Sequence, residues 1–166
     1  RKAMTYNPGP DRYILKPTGV RIVDVEAAAS ISGTVDDALF SGNSSVPCMG
    51  KADATDGNVI YLYQGHGLTI GNLADNFDSI LDITAPDTAI APYTSQKVAA
   101  DGSYSIWSLP AGNYTLAFSC QAENDDPDLL DGIVIPSPET EMVELSLGEG
   151  ESKKCDFPLV AVDCQV

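Results

Sequence analysis

Apolar and polar residues alternate along this chain in short runs separated by glycine, proline, asparagine and aspartate. In Ile31-Ser32-Gly33-Thr34-Val35, Ile31 and Val35 share one face and polar residues line the other, the period of a half-buried strand. Val59-Ile60-Tyr61-Leu62-Tyr63 predicts a strand more strongly, because β-branched and aromatic residues fill it and Gly57-Asn58 and Gly65 bound it. Further extended runs are Ser95 to Ala99, Ser103 to Trp107, Tyr114 to Cys120, Ile133 to Ile135, Val143 to Leu147 and Lys154 to Val160. Asp101-Gly102 between two extended runs predicts a hairpin, and Leu109-Pro110-Ala111-Gly112 and Gly148-Glu149-Gly150 supply further turns. Short strands with turns at such intervals predict an all-β fold, an antiparallel β-sandwich of about seven strands. At most one short helix is expected. It would lie within Asn72 to Ile83, where Leu73, Phe77 and Leu81 recur at helical spacing and Asn72 can cap the start.

Two regions lack that periodicity. Asp36 to Asn58 reads as a long polar loop carrying Cys48, and Glu123 to Asp131 as an acidic loop. Ahead of the first sandwich strand, Arg12 to Lys16 and Val20 to Glu26 look extended, while Asn7-Pro8-Gly9-Pro10 reads as irregular. Residues 1–29 are therefore read as an extended N-terminal segment or linker strand, and residues 30–166 as the sandwich domain. The start at Arg1 reads as a processed end or a piece of a longer precursor.

Composition narrows the partners. A chain of 166 residues suffices for one domain, burying roughly 70% of its unfolded surface on folding. Its 24 acidic residues against 9 basic ones give a net charge of −15, which repels phosphate backbones and anionic lipid. Nucleic acid is thereby a poor partner. No apolar run approaches the ~20 residues a membrane-spanning helix needs, so direct membrane insertion is not expected. The four cysteines, Cys48, Cys120, Cys155 and Cys164, lack the C-x-x-C spacing of zinc or redox sites. Widely spaced and even in number, they read as two disulfides made in an oxidising compartment.

Candidate chemistry is sparse. A nucleophilic hydrolase needs a histidine base, and the lone histidine, His66, sits between two glycines in Gly65-His66-Gly67, an exposed-loop setting. No Gly-x-Ser-x-Gly occurs, and no catalytic residue is assigned. No cofactor is required. Calcium is the ion such a surface could take: Asn124, Asp125, Asp126, Asp128 and Asp131 bring hard oxygen ligands to one loop. A second group, Asp53, Asp56 and Asn58, precedes the Val59 strand, and neither group has EF-hand spacing. Trp107 is the other candidate. Burial of Tyr104 and Ile106 would leave it facing outward, where an indole can stack on a sugar or anchor a protein partner.

The run Asp101-Gly102-Ser103-Tyr104-Ser105-Ile106, followed by Leu109-Pro110-Ala111-Gly112-Asn113-Tyr114-Thr115-Leu116, resembles carboxypeptidase-regulatory-like and Cna-B-like modules. Ile31 to Val35 matches their opening strand and Val143 to Leu159 their closing pair, so the likeness covers about Ser30 to Leu159. It implies a prealbumin-like Greek-key sandwich. Tyr13-Ile14-Leu15-Lys16-Pro17, Ser32-Gly33-Thr34-Val35-Asp36 and Ala117-Phe118-Ser119-Cys120-Gln121-Ala122 further resemble a family of bacterial secreted lipoproteins, in which such a module follows a first domain without assigned function. That likeness implies a bacterial extracellular or cell-surface location and a lipid-anchored precursor. It brings no catalytic or binding residues.

The implied function is a non-catalytic structural or adhesive module, with a protein partner, self-association or a glycan as ligand. The alternatives are a carbohydrate-binding module and a filament subunit whose N-terminal segment adds as a strand to a neighbour. Strand parity puts Cys120 with Leu116 and Phe118, and Cys155 with Phe157 and Leu159, so a Cys120–Cys155 bridge stays open. The lipoprotein likeness implies instead Cys48–Cys120, leaving Cys155–Cys164 to close the C-terminal tail.

Overall fold

The computed structural model describes residues 4–7, 12–15, 24–41, 48, 50–51, 53–78, 82–159 and 164. Near the N-terminus, β1 (Met4–Asn7) and β2 (Arg12–Leu15) pair antiparallel as a two-stranded sheet of their own. The expected extended run at Arg12 is thus β2, whereas β1 had no counterpart in the sequence reading. Pro8, Gly9, Pro10 and residues 16–23 lie outside the described residues.

The main body is an all-β sandwich of seven strands in two sheets. Its strands are β3 (Ala29–Thr34), β4 (Val59–Gln64), β5 (Thr94–Lys97), β6 (Ser103–Leu109), β7 (Gly112–Ser119), β8 (Met142–Leu147) and β9 (Ser152–Lys154). One sheet has the order β6-β3-β9 and the other β5-β4-β7-β8. All pairings are antiparallel except β3 with β9, which run parallel.

Why these residues make these strands follows from burial. In β6, Tyr104 and Ile106 are buried while Ser105 and Trp107 face the other way. In β8, Val143, Leu145 and Leu147 are buried and Glu144 and Ser146 exposed. These inward residues meet Ile31, Ile60, Leu62, Leu116 and Phe118 in the core between the sheets. Gly33 is required where three strands crowd: a Cβ there would lie 1.8 Å from the Cys155 carbonyl oxygen.

Several expectations are corrected. Asp101-Gly102 closes a tight turn, with Gly102 at φ 79° and its amide donating to the Ala99 carbonyl at 2.9 Å. It does not join two strands of one sheet, because β5 belongs to the four-stranded sheet and β6 to the three-stranded one. The turn after Leu109 likewise crosses between sheets, into β7. Among the described residues of Asn72 to Ile83 the expected helix is not formed: a 3-10 turn, Ile70–Asn72, ends as that segment begins, and Leu73 is extended. Residues 79–81 lie outside the description. Leu73 and Phe77 are buried all the same, Leu73 against the tyrosines of β4, so their spacing reflects burial of a loop. Ile133 to Ile135 is not a strand either. The chain there makes only a bridge from Ser137 to Ser119. Glu26 falls in a turn, not an extended run.

Two disulfides close the body. Cys48–Cys120 ties the long loop to the end of β7, and Cys155–Cys164 ties the C-terminal tail to the segment after β9. The pairing implied by the lipoprotein likeness is therefore present, and the core bridge left open by parity is not. Two such bonds fit an oxidising, non-cytoplasmic setting. Among the described residues no helix is long and apolar enough to cross a membrane.

Candidate functional site

In the four-stranded sheet the central strand β4 is buried on both faces. Val59 to Tyr63 are all buried, since alternate residues enter the core and the rest meet a layer of loops. That layer comprises residues 65–78, 82–93 and 121–141, and it covers Val59, Tyr61, Tyr63 and Ala117 with Leu73, Ala122 and Ile135. Buried phenols need partners, and each finds one. The Tyr61 hydroxyl donates to Asp125 Oδ2 at 2.7 Å and the Tyr63 hydroxyl to the Ala74 carbonyl at 2.7 Å. Burial raises both phenols above their ordinary range, and Asp125 beside Tyr61 adds to its rise.

Here the acidic residues are found. Asp125 Oδ2 also accepts from Asn76 Nδ2 at 2.7 Å, and Asn76 in turn accepts from the Ser95 hydroxyl at 3.1 Å. Asp75, buried, accepts the amides of Ile133 at 2.8 Å and Asp131 at 3.1 Å. Burial raises its pKa first, and the carboxylates of Asp125 and Asp131 push the same way against those hydrogen bonds. Asp82 accepts the Leu130 amide at 2.9 Å and the Thr84 hydroxyl at 2.6 Å, and these bonds hold its pKa below the usual range.

Of the expected calcium residues, Asp126, Asp128 and Asp131 form one chain of turn bonds. Asp126 accepts the Asp128 amide at 3.0 Å, and Asp131 accepts the Asp126 amide at 2.6 Å. Asp125 turns away toward Tyr61, and Asn124 is exposed. In the second group Asp53 accepts the Thr55 amide at 2.7 Å, while the Asn58 side chain is buried and donates to the Ala54 carbonyl. Among the described residues no three acidic, cysteine or histidine side chains gather as a metal ion requires.

His66 reaches the Leu145 carbonyl with Nε2 at 2.9 Å, and its Nδ1 lies 4.0 Å from Glu144 Oε2. The lone histidine thus fastens its loop to β8. A groove of about 550 Å³ opens in the loop layer between Ile70–Leu73 and Ile133–Glu139, and Glu139 is the one titratable residue lining it.

The three-stranded sheet is different. Its outer face carries Ser103, Ser105 and Trp107 from β6, Ser30, Ser32 and Thr34 from β3, and Ser152 and Lys154 from β9. Cross-strand register sets Ser105 beside Ser32 and Ser103 beside Thr34, so hydroxyls form rows across the sheet. The Ser30 and Ser152 hydroxyls are 2.9 Å apart, and the Thr34 hydroxyl donates to Asp156 at 2.9 Å. Trp107 stands at the free side of this face with 69% of its surface exposed. The outward direction predicted for it is the observed one.

Sequence reasoning named Trp107 and Asp125 but missed Asp75, Asn76 and Tyr61 as a network. No local signal could have found them, because the Tyr61–Asp125 bond spans 64 residues of sequence. Comparison with protein-family models, with curated proteins and with solved structures finds no match to this chain.

Proposed function

We propose that this chain is a non-catalytic, prealbumin-like module that a bacterium carries outside its cytoplasm, with a structural or adhesive task at the cell surface. The observation that carries the reading is Trp107, a large apolar side chain 69% exposed on a strand without charges. Exposed aromatic anchors on rigid strands are what binding surfaces use. By contrast, His66, Asp75, Asp82 and Asp125 are engaged in bonds that hold loops down. The disulfides support a location outside the cytoplasm, and the lipoprotein likeness supports a lipid-anchored precursor.

A second reading is favoured by the same face. An indole beside rows of serine and threonine hydroxyls suits a glycan, which offers an apolar ring face and hydroxyls to match. A filament built by N-terminal strand addition would first have to part β1 from β2, which pair with each other. The test is binding of the purified chain and of Trp107→Ala to a glycan array and to intact bacterial cells. Loss of binding in a variant that melts like the parent supports the reading. Turnover of a hydrolysable substrate that survives Trp107→Ala contradicts it.

A further inference from the structure

The loop layer over the four-stranded sheet is not closed everywhere. Its groove of about 550 Å³ runs between Ile70–Leu73 and Ile133–Glu139. That is ligand size, too small for a folded domain and enough for a few residues of chain. Aliphatic side chains and two prolines form the walls, with Ile70 41% and Val134 56% exposed. Among the described residues no aromatic ring lines it, so a sugar has no face to stack on there.

The backbone along one wall is the sharper sign. The Ile133 amide donates to Asp75 at 2.8 Å, and the Val134 carbonyl turns the other way, accepting the Ser119 hydroxyl at 2.9 Å. Alternation returns the Ile135 amide to the Ile133 side, toward the chain that carries Leu73 and Asp75. Ile135 is buried, 4% exposed, and among the described residues its amide and carbonyl meet no partner. Buried backbone groups are rarely left so. Glu139, farther along the same wall, is exposed, and among the described residues its carboxylate has no hydrogen bond or ion pair. The sequence from 65 to 93 and from 121 to 141 holds acidic residues and no lysine or arginine.

We propose that this groove binds a short extended peptide of a protein partner, aliphatic in its side chains and carrying a lysine or arginine. One peptide residue supplies both groups that Ile135 lacks. Its carbonyl accepts the Ile135 amide, and its amide donates to the Ile135 carbonyl. The aliphatic side chains lie against Ile70 and Val134, which are thereby taken out of water. The cation reaches the Glu139 carboxylate. Each part of the ligand thus answers one part of the groove. The site lies outside the four-stranded sheet and Trp107 outside the three-stranded one, so it goes beyond the proposed function, which does not depend on it.

The test is calorimetric titration of the whole chain with end-capped tetrapeptides of valine, leucine and isoleucine closed by lysine. The same peptides closed by glutamate are the control, and amide hydrogen exchange is followed in parallel. The lysine peptides bind below millimolar concentration, about tenfold or more tightly than the glutamate ones, and more weakly as salt is added. With peptide bound, the Ile135 amide exchanges more slowly. Gly71→Leu blocks the groove from its other wall, because a Cβ at Gly71 meets nothing within 4 Å and the new side chain enters open space. Glu139→Lys reverses the preference, so that the glutamate peptides bind the better. Gly71 and Glu139 are exposed, so both variants should melt like the parent, and Trp107→Ala should leave peptide affinity unchanged. Should Gly71→Leu fold poorly, Glu139→Lys decides alone. Lysine peptides that fail to bind at millimolar concentration overturn the site, as does equal affinity for lysine and glutamate peptides. Butylamine binding as tightly as the lysine peptides reduces the site to Glu139 and overturns the peptide as its ligand. Binding that Trp107→Ala abolishes and Gly71→Leu spares belongs to the open face, which overturns the groove and leaves the module reading standing.

Discussion

The two sheets of this sandwich share a core but turn different outer faces to the world. Behind the four-stranded sheet, Tyr61 and Tyr63 lie under loops pinned by Asp75, Asp82 and Asp125. Behind the three-stranded sheet no such layer of described residues lies over Ser32, Thr34, Ser103 and Ser105, and Trp107 is 69% exposed. Asp75, Asp82 and Asp125 belong to the closed face. The open face is built of small hydroxyl side chains and one indole, with Lys154 on its β9 side. The difference teaches that clustered carboxylates can be a fastening, each accepting the amides that let a loop lie on a sheet.

The closed side should be the costly one to disturb. Replacing Cys48 and Cys120 by alanine releases a loop of 72 residues' separation and should lower stability by about 4 kcal/mol on chain-entropy grounds. Denaturant unfolding checks this, and a loss no larger than that from opening Cys155–Cys164, where about 3 kcal/mol is expected, would break the comparison.

Next comes Asp75. Asp75→Ala leaves the buried amides of Asp131 and Ile133 without their acceptor, which should cost about 2 kcal/mol. Asp75→Asn keeps an acceptor and removes the charge, so it separates the two roles. Burial and the neighbouring carboxylates raise the Asp75 pKa above its ordinary 3.8. The stability tied to its proton is therefore fully present below the unfolded value and lost as pH rises through the folded one. Asp82 works oppositely: its pKa is lowered, and its contribution is present above the unfolded value and lost as pH falls through the folded one. The parent should thus gain on Asp75→Asn as pH drops from neutrality toward the carboxylate range. Melting curves across that interval check the sign, and a parent that instead loses ground to Asp75→Asn as pH drops would show Asp75 to be held as a stabilising anion.

A smaller effect is expected at Tyr61. Phenylalanine there removes the hydroxyl from Asp125 and should cost about 1.5 kcal/mol, readable by the same unfolding measurements.

How much of this contrast was legible beforehand depended on whether a signal was local. Alternation in β6 and β8 and the apolar run of β4 predicted strands because each strand's own burial imposes the period. The outward Trp107 came from the same parity. Leu73 and Phe77 misled because a loop can bury residues at spacings that mimic a helix, Leu73 here against tyrosines of β4. Asp101-Gly102 named a turn correctly, but a turn cannot say whether the next strand stays in the same sheet. The Asp75 fastening was invisible because its partners lie 56 and 58 residues away.

On the open side stability should barely respond: Trp107→Ala is expected to change it by under about 0.5 kcal/mol, although it removes the chain's largest exposed aromatic. Trp107 is also the single tryptophan, so its fluorescence reports the open face directly. In the dilute native protein the account predicts emission at the long wavelength of a water-exposed indole, with acrylamide quenching it nearly as freely as in the denatured chain. Blue-shifted emission shielded from acrylamide in the dilute monomer would contradict an open face around Trp107, and with it the proposed binding surface.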